Sequence, residues 1–168
     1  MEKTLIILKP DTVQRGIVGE IITRFEKRGL KIVAAKMLQP DYDHYFEHYE
    51  GIGTLKTRKG DEIFESQLSS MLDGPVIAMI LEGAEAIEAV RTMVGDTQPK
   101  TAAPGTIRGD FAHVNYGAAS SVGKGVANIV HASATPEEAK KEIAHWFKPE
   151  EIVSYEATHE KFTQPRKK

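Results

Sequence analysis

A chain of 168 residues, 40% hydrophobic and 27% charged, can bury one ordinary core and is short for two, so a single domain over 1–168 is expected. Its 22 basic and 24 acidic residues leave a formal net charge of −2, which exerts no global pull toward nucleic acid or acidic membranes; any anion site has to be local. Cysteine is absent, which excludes disulfides, thiol catalysis, iron–sulfur clusters and cysteine zinc sites and suits a reducing, cytoplasmic setting, while the apolar run at 76–81 is far too short to span a membrane and the N-terminus lacks the pattern of a secretory leader.

The β-branched run at 4–9 reads as a buried strand stopped by Pro10, which leaves Lys9 at the strand's exit, before a loop. Ile21, Ile22 and Phe25 recur at helical spacing within 19–28, Gly29 can close that helix, and 31–38 reads as a second strand ended by Pro40. Two short helices follow at 41–49 and 61–72, separated by a glycine-rich, basic segment at 51–60 that is expected to be a mobile hairpin or loop. Residues 76–81 predict a third strand, 84–94 a third main helix, and 95–111 a long irregular stretch of the kind that often carries function. A short strand precedes His131. The helix over 135–147 starts on Thr135 as N-cap, Pro136 at the first helical position and a capping box completed by Glu138, with Ala139, Ile143, Trp146 and Phe147 as its buried stripe. The order βαβ, inserted helical pair, βαβ predicts an α+β fold: a ferredoxin-like split βαβ antiparallel sheet with helices on one face.

Chemistry-bearing residues concentrate around His131. Imidazole is a good nucleophile near neutral pH, and Glu142, bordering the apolar stripe two turns into the last main helix, can reach back to it. A carboxylate accepting one ring N–H fixes the tautomer and exposes the lone pair of the other nitrogen. With the Asn128 amide, the Ser133 hydroxyl and the Arg108 guanidinium close by in sequence, this is chemistry for handling phosphate. Lys9, Arg91 and Arg108 each fall at an element's end or in the long loop, and converging cations of this kind can neutralise a polyphosphate. Other patterns carry less. Residues 117–124 end in Gly123 and Lys124 like a phosphate loop, but the glycine spacing is wrong and Gly125 stands where a hydroxyl is required. His44 and His48 share a helical face without the residue order of a metalloprotease and read as exposed, and the basic end at 166–168 reads as solvated.

Lys9, Pro10 and Asp11 with Gln14, Arg15 and Gly16, the Arg91 to Gly95 string, Thr97, Gln98 and Pro99, the run 104–111 and the run 128–133 together resemble the nucleoside diphosphate kinase family, over about residues 4–155, leaving 156–168 as a polar tail. The resemblance implies a ferredoxin-like fold and a two-step transfer of the γ-phosphoryl group from a nucleoside triphosphate, usually ATP, to a nucleoside diphosphate, the phosphate waiting on a histidine. His131 matches that histidine, Glu142 the carboxylate that orients it and Ser133 the hydroxyl beside it. Lys9 and Asn128 match groups that hold the sugar hydroxyls and the reacting phosphate; Tyr49, Arg91, Thr97 and Arg108 match phosphate contacts; Phe64 and Leu68 match the apolar lid on which the base rests. Stacking on an aromatic face reads no base edge, which agrees with broad specificity. Mg²⁺ is expected on the nucleotide's phosphates rather than in a protein cage, and family members are homo-oligomers, hexamers or tetramers built from dimers.

Departures from the family's pattern also stand in the sequence. His131, Ala132, Ser133 and Ala134 replace a usual His-Gly-Ser-Asp, so a carboxylate near the metal's water shell is missing, and extra residues lie near 51–63 and 116–126. Two other classes compete with the kinase. In one, the same fold is a non-catalytic nucleotide-binding module, against which His131, Glu142 and Lys9 argue. In the other it binds nucleic acid, for which no aromatic-and-basic strand motif is present.

Overall fold

Every residue from Thr4 to Leu8 is buried because the first strand lies inside a sheet covered on both faces, and a strand so placed reads as a continuous apolar run. The computed structural model describes residues 1–121 and 125–163. In chain order these comprise β1 (Glu2–Leu8), α1 (Pro10–Gln14), α2 (Val18–Lys27), β2 (Lys31–Leu38), α3 (Tyr42–Phe46), a π-helical turn (Glu47–Ile52), α4 (Leu55–Lys59), α5 (Asp61–Leu72), β3 (Val76–Gly83), α6 (Ala86–Val94), a 3-10 turn (Pro99–Thr101), α7 (Ile107–Phe111), α8 (Tyr116–Ser120), β4 (Val130–Ala132), α9 (Pro136–Trp146), a second 3-10 turn (Pro149–Glu151) and α10 (Glu160–Thr163). The strands form one antiparallel sheet in the order β2-β3-β1-β4, the split βαβ arrangement expected from the pattern of elements.

Side chains alternate across a strand, so successive residues of β1 feed two separate cores. Leu5 and Ile7 join Val76, Ala78 and Ile80 of β3 beneath Tyr45, Phe64, Leu68, Met71 and Trp146. Ile6 and Leu8 join Met79 and Leu81 beneath Ile21 and Phe25 of α2 and Val90 and Val94 of α6. The expectation of helices on one face therefore holds only for the two crossover helices, α2 and α6. The inserted helices and α9 cover the opposite face, because β1 and β3 are apolar on both. Strand β4 sends Val130 and Ala132 to the α2/α6 side, which turns His131, paired with Ile7, to the other.

Local signals hold closely at several ends. Gly29, at φ +84°, closes α2 in a Schellman turn, with Leu30 N–H donating to Phe25 O and Gly29 N–H to Glu26 O. Thr135 caps α9 by accepting from Glu138 N–H at 3.1 Å, with Pro136 in the first turn. Glu138 does not close the expected box on Thr135; its carboxylate takes the N–H of Ala134 instead, at 2.8 Å. Three stretches read as irregular are helical in part. Pro10 starts α1 and does not merely stop a strand, since its ring suits a first helical turn. The segment 51–60 contains α4, whose Leu, Lys and Arg residues favour helix despite the glycines around them. The loop 95–111 holds the 3-10 turn and α7, capped by Thr106. Of the phosphate-loop-like stretch, residues 122–124 lie outside the described residues, as does the basic end at 166–168; the described part, including α8, forms no phosphate loop around a strand.

Replacing Thr135 by Ala removes one cap bond from the helix that carries Glu142. A loss of about 0.5–2 kcal/mol is expected, read as a lower urea midpoint at unchanged slope.

Candidate active site

His131 reaches the site because β4 is one strand wide of the sheet's centre and points it under α9. Its Nε2 lies 2.7 Å from Glu142 Oε1, so the N–H on Nε2 donates to the carboxylate and Nδ1 bears the lone pair, with no hydrogen bond to a described residue. Glu142 is 1% exposed. Ser133 Oγ donates to its other oxygen, Oε2, at 2.5 Å, and itself accepts from Leu5 N–H at 3.2 Å, which locks the carboxylate to β1. Ser133 is thus wholly buried behind Glu142 and does not line the open cleft.

His48, read from sequence as exposed, is 1% exposed and stands edge-on to His131 with ring centroids 4.6 Å apart. Its Nδ1 accepts from Trp146 Nε1–H at 3.1 Å and lies 3.7 Å from Glu142 Oε1. Burial, and then His131 beside it, hold His48 well below the usual histidine range, so it is a neutral wall of the site. Tyr45, His48 and Tyr49 recur at i, i+3 and i+4, which is the signal that could have placed His48 on a buried face. Its companion His44 is half-buried and stacked on His145 at 4.0 Å.

The approach to β4 is strained. Ile129 has φ +72°, a conformation β-branched residues rarely adopt, and Val130 N–H donates back to Asn128 O at 2.8 Å, closing a tight three-residue turn. Such a residue costs on the order of 1–3 kcal/mol and persists only if its surroundings fix it. Here Ile129 O accepts from Lys9 N–H at 2.9 Å and Thr12 Oγ1 at 2.5 Å, while Ile129 N–H donates to Asp11 Oδ2 at 3.2 Å. Arg108 clamps the same turn, donating to Asn128 O, Val130 O and Gly95 O at 3.0, 2.6 and 3.0 Å. Two of its five N–H groups have no hydrogen-bond partner among the described residues. Asn128 accepts from Lys9 Nζ at 2.7 Å and donates to Thr97 O at 2.9 Å, so its side chain aims Lys9. Burial, then Arg108, press the Lys9 ammonium down to about 8, and burial followed by Arg91 brings Arg108 to about 10, which leaves it charged at neutral pH.

These groups meet at a cleft of about 680 Å³ lined by Lys9, Tyr49, Arg91, Thr97, Arg108, Asn128, His131 and Glu142 from the sequence reading, and also by Arg58 and Lys59 of α4 and by His48. Gln67 donates to Tyr49 Oη at 3.2 Å, steadying that phenol, whose ionisation burial pushes far upward. Phe64 and Leu68 do not line the cleft. They are 0% and 1% exposed, packed in the core against the sheet, with Phe64 edge-on to Phe46. The cleft is lined one position earlier on α5, by Ile63 and Gln67, with Leu55, Tyr116 and Val126 completing an apolar end. Tyr116 and Val126 come from the extra residues near 116–126, and Leu55 from those near 51–63.

Among the described residues, His48, His131 and Glu142 form the one trio of metal-ligand type. The atoms they turn toward one another are already engaged, His131 Nε2 with Glu142 Oε1 and His48 Nδ1 with Trp146 Nε1–H, while His48 Nε2 is buried with no hydrogen-bond partner among the described residues. No helix of the described chain is long and apolar enough to cross a membrane.

An imidazole aimed by a buried carboxylate at the inner end of a cation-lined cleft defines a protein built to handle phosphoryl groups. The family model described as nucleoside diphosphate kinase matches residues 2–152. The chain is 46% identical to the nucleoside diphosphate kinase of Pyrococcus furiosus, over 92% of this chain and 88% of that one. A nucleoside diphosphate kinase from Borrelia burgdorferi, solved as a transition-state mimic with bound vanadate and ADP, superposes with a TM-score of 0.92 at 41% identity, covering 96% of each chain. A halophilic enzyme from Halobacterium salinarum in complex with CDP gives 0.82 at 36% identity, over 96% of this chain and 97% of that one. The chain belongs to the nucleoside diphosphate kinase family.

Two measurements check this geometry. Phe64→Ala should cost about 3–5 kcal/mol of stability as a core truncation, whereas Ile63→Ala should leave the urea midpoint nearly unchanged and weaken nucleotide binding; the reverse pattern would return Phe64 to the lid. For Lys9, the folded pKa lies below the free value, so between pH about 8 and 10.5 the free protein holds less than its full proton there. Folding stability tied to Lys9 accordingly rises with pH across that window. A phosphate arriving beside Lys9 favours the charged form, so ADP binding in the window should take up protons, measured by calorimetry in buffers of different ionisation enthalpy, and Lys9→Met should abolish the uptake at the lower end of the window, near pH 8, leaving near pH 10 only what Arg108 contributes.

Proposed function

We propose that this chain, as one domain, transfers the γ-phosphoryl group of a nucleoside triphosphate to a nucleoside diphosphate in two steps, with His131 Nδ1 as carrier. The observation that carries the reading is the 2.7 Å bond from His131 Nε2 to the buried Glu142, which leaves Nδ1 as the nucleophilic atom. In the first step the Nδ1 lone pair attacks the γ-phosphorus and the bond to the β,γ-bridging oxygen breaks, releasing the diphosphate. Positive charge gathering on the ring is met by Glu142 through the Nε2 proton. In the second step a terminal oxygen of another diphosphate attacks the same phosphorus and the P–N bond breaks, restoring the free imidazole.

The binding roles follow from what each group has left to donate. Lys9 and Arg91 supply charge to the phosphates, Arg108 adds its two spare N–H groups, and Thr97 supplies a hydroxyl near the inner phosphates. Asn128 acts chiefly by holding Lys9, and Ser133 by holding Glu142. Tyr49 offers its phenol to the phosphate end, supported by Gln67. The apolar end formed by Leu55, Ile63, Tyr116 and Val126 gives a base a surface that contacts faces rather than edges, which supports acceptance of several bases. Mg²⁺ bound to the nucleotide's phosphates supplies charge neutralisation during transfer. A homo-oligomer built from dimers is part of the reading; the start of β2 is covered by the chain's own Val153 and Tyr155, which donate to Val33 O and Ile32 O, while its far end exposes Met37 to 61% and is a sheet edge on which a second copy can pack.

Incubation with γ-labelled ATP and Mg²⁺ should yield an acid-labile, alkali-stable phosphoprotein whose label moves to an added diphosphate, and His131→Ala should carry none. Glu142→Gln should fold, label at the same residue, and turn over more slowly by on the order of 10- to 100-fold. Well-folded protein that binds ADP yet never takes label would make this a non-catalytic nucleotide-binding module.

A further inference from the structure

Lys9, Arg58, Lys59, Arg91 and Arg108 make the cleft strongly basic, and among the described residues only two acids face it, Glu138 and Glu142. Glu142 has no oxygen to spare, since Oε1 is held by His131 and Oε2 by Ser133. Glu138 differs. It stands one helical turn before Glu142 on the same face of α9, where residues four apart have Cβ atoms about 5–6 Å from each other. Its Oε2 accepts from Ala134 N–H at 2.8 Å, and its own N–H is tied to the Thr135 cap at 3.1 Å, so both ends of the residue are fixed. Its Oε1 has no hydrogen bond to any described residue. The first turn of a helix favours a negative charge, so keeping this carboxylate costs little there.

A carboxylate held at the mouth of a phosphate site repels bare phosphates, and that cost is recovered only if a cation arrives with them. The side chain best placed to point into the same space from the loop before α9 is Ala134, which has no polar group. We infer that Glu138 is a metal-positioning residue: its Oε1 accepts hydrogen bonds from water on the divalent cation carried by the nucleotide's phosphates, in the place Ala134 leaves without a ligand group. This rests on the reading, made above, that the substrate enters with Mg²⁺ on its phosphates. A contact through water suits Mg²⁺, which parts with its hydration shell reluctantly. Glu138 touches neither His131 nor the reacting phosphorus; it acts through the cation. Its selectivity is for the metal-bearing nucleotide over the metal-free one.

Mn²⁺ serves as the probe, its free concentration followed by electron paramagnetic resonance in titrations of the full-length protein saturated with ADP. Glu138→Gln retains length and an acceptor for Ala134 N–H but loses the charge. Mn²⁺ should bind its ADP complex about tenfold more weakly than that of the unaltered protein, with metal-free ADP binding equal or tighter and the urea midpoint lowered only slightly, by the charge lost from the helix start. Adding Ala134→Asp to Glu138→Gln should restore much of the Mn²⁺ affinity. Equal Mn²⁺ affinity in Glu138→Gln and the unaltered protein overturns the assignment, as does a parallel loss of metal-free ADP binding, which would mark Glu138 as a structural clamp. If the unaltered protein with ADP holds Mn²⁺ no more tightly than ADP alone, the reading of a metal-bearing substrate in this cleft fails, and the role of Glu138 fails with it.

Discussion

Taking a carboxylate out of water costs several kilocalories per mole unless each oxygen finds a donor, and the site is organised around meeting that cost for Glu142. Oε1 takes the His131 N–H and Oε2 takes the Ser133 hydroxyl, which is itself bonded to the backbone of Leu5 at the centre of the sheet. Sheet, helix and imidazole are joined in three bonds. The consequence for chemistry is a choice between two ring nitrogens made by the fold: Nε2 is occupied, and Nδ1 is presented to the cleft. His48 and Trp146 close the remaining side of the carboxylate with a neutral wall, which keeps the interaction in a medium of low dielectric.

A second constraint fixes where that imidazole stands. The turn at Ile129 stores backbone strain, and the groups that hold it are those proposed to bind phosphate or to aim a phosphate-binding group: Lys9 through its backbone N–H, Arg108 through its bonds to carbonyls, Asn128 through its side chain to Lys9 and Thr97. Phosphate-binding charge and the position of β4 are therefore coupled. Loss of Arg108 would remove a cation and also release the strand that bears His131. A residue of this kind has no separable structural and functional share.

Much of this was legible in residue order. The apolar runs of β1 and β3 with β2 between them, and the helical spacing of α2, predicted the split βαβ sheet, and Thr135 with Pro136 marked the start of α9, hence the reach of Glu142 to His131. What was not legible depended on which of two adjacent stripes faces inward. On α5, Phe64, Leu68 and Met71 form an apolar stripe at helical spacing, and such a stripe serves a core or a binding face equally well until neighbouring layers are known; packing under β3 assigns it to the core and turns Ile63 and Gln67 to the cleft. The π-helical turn after α3 likewise carries His48 inward among charged neighbours that suggested solvent. The second covered face of the sheet was hidden for a similar reason, since a strand buried on both sides shows no polar alternation to count.

The role of Glu142 turns on which imidazole nitrogen of His131 receives the phosphate. Phosphorylated protein carrying ¹⁵N-labelled histidine distinguishes the two isomers by nitrogen–phosphorus coupling in magnetic resonance. Coupling at Nδ1 of His131, with Nε2 still protonated, is the result that the Glu142 bond requires. Phosphate on Nε2 would mean that Glu142 releases the ring before transfer, and the organisation described around that carboxylate would then not be the one that works.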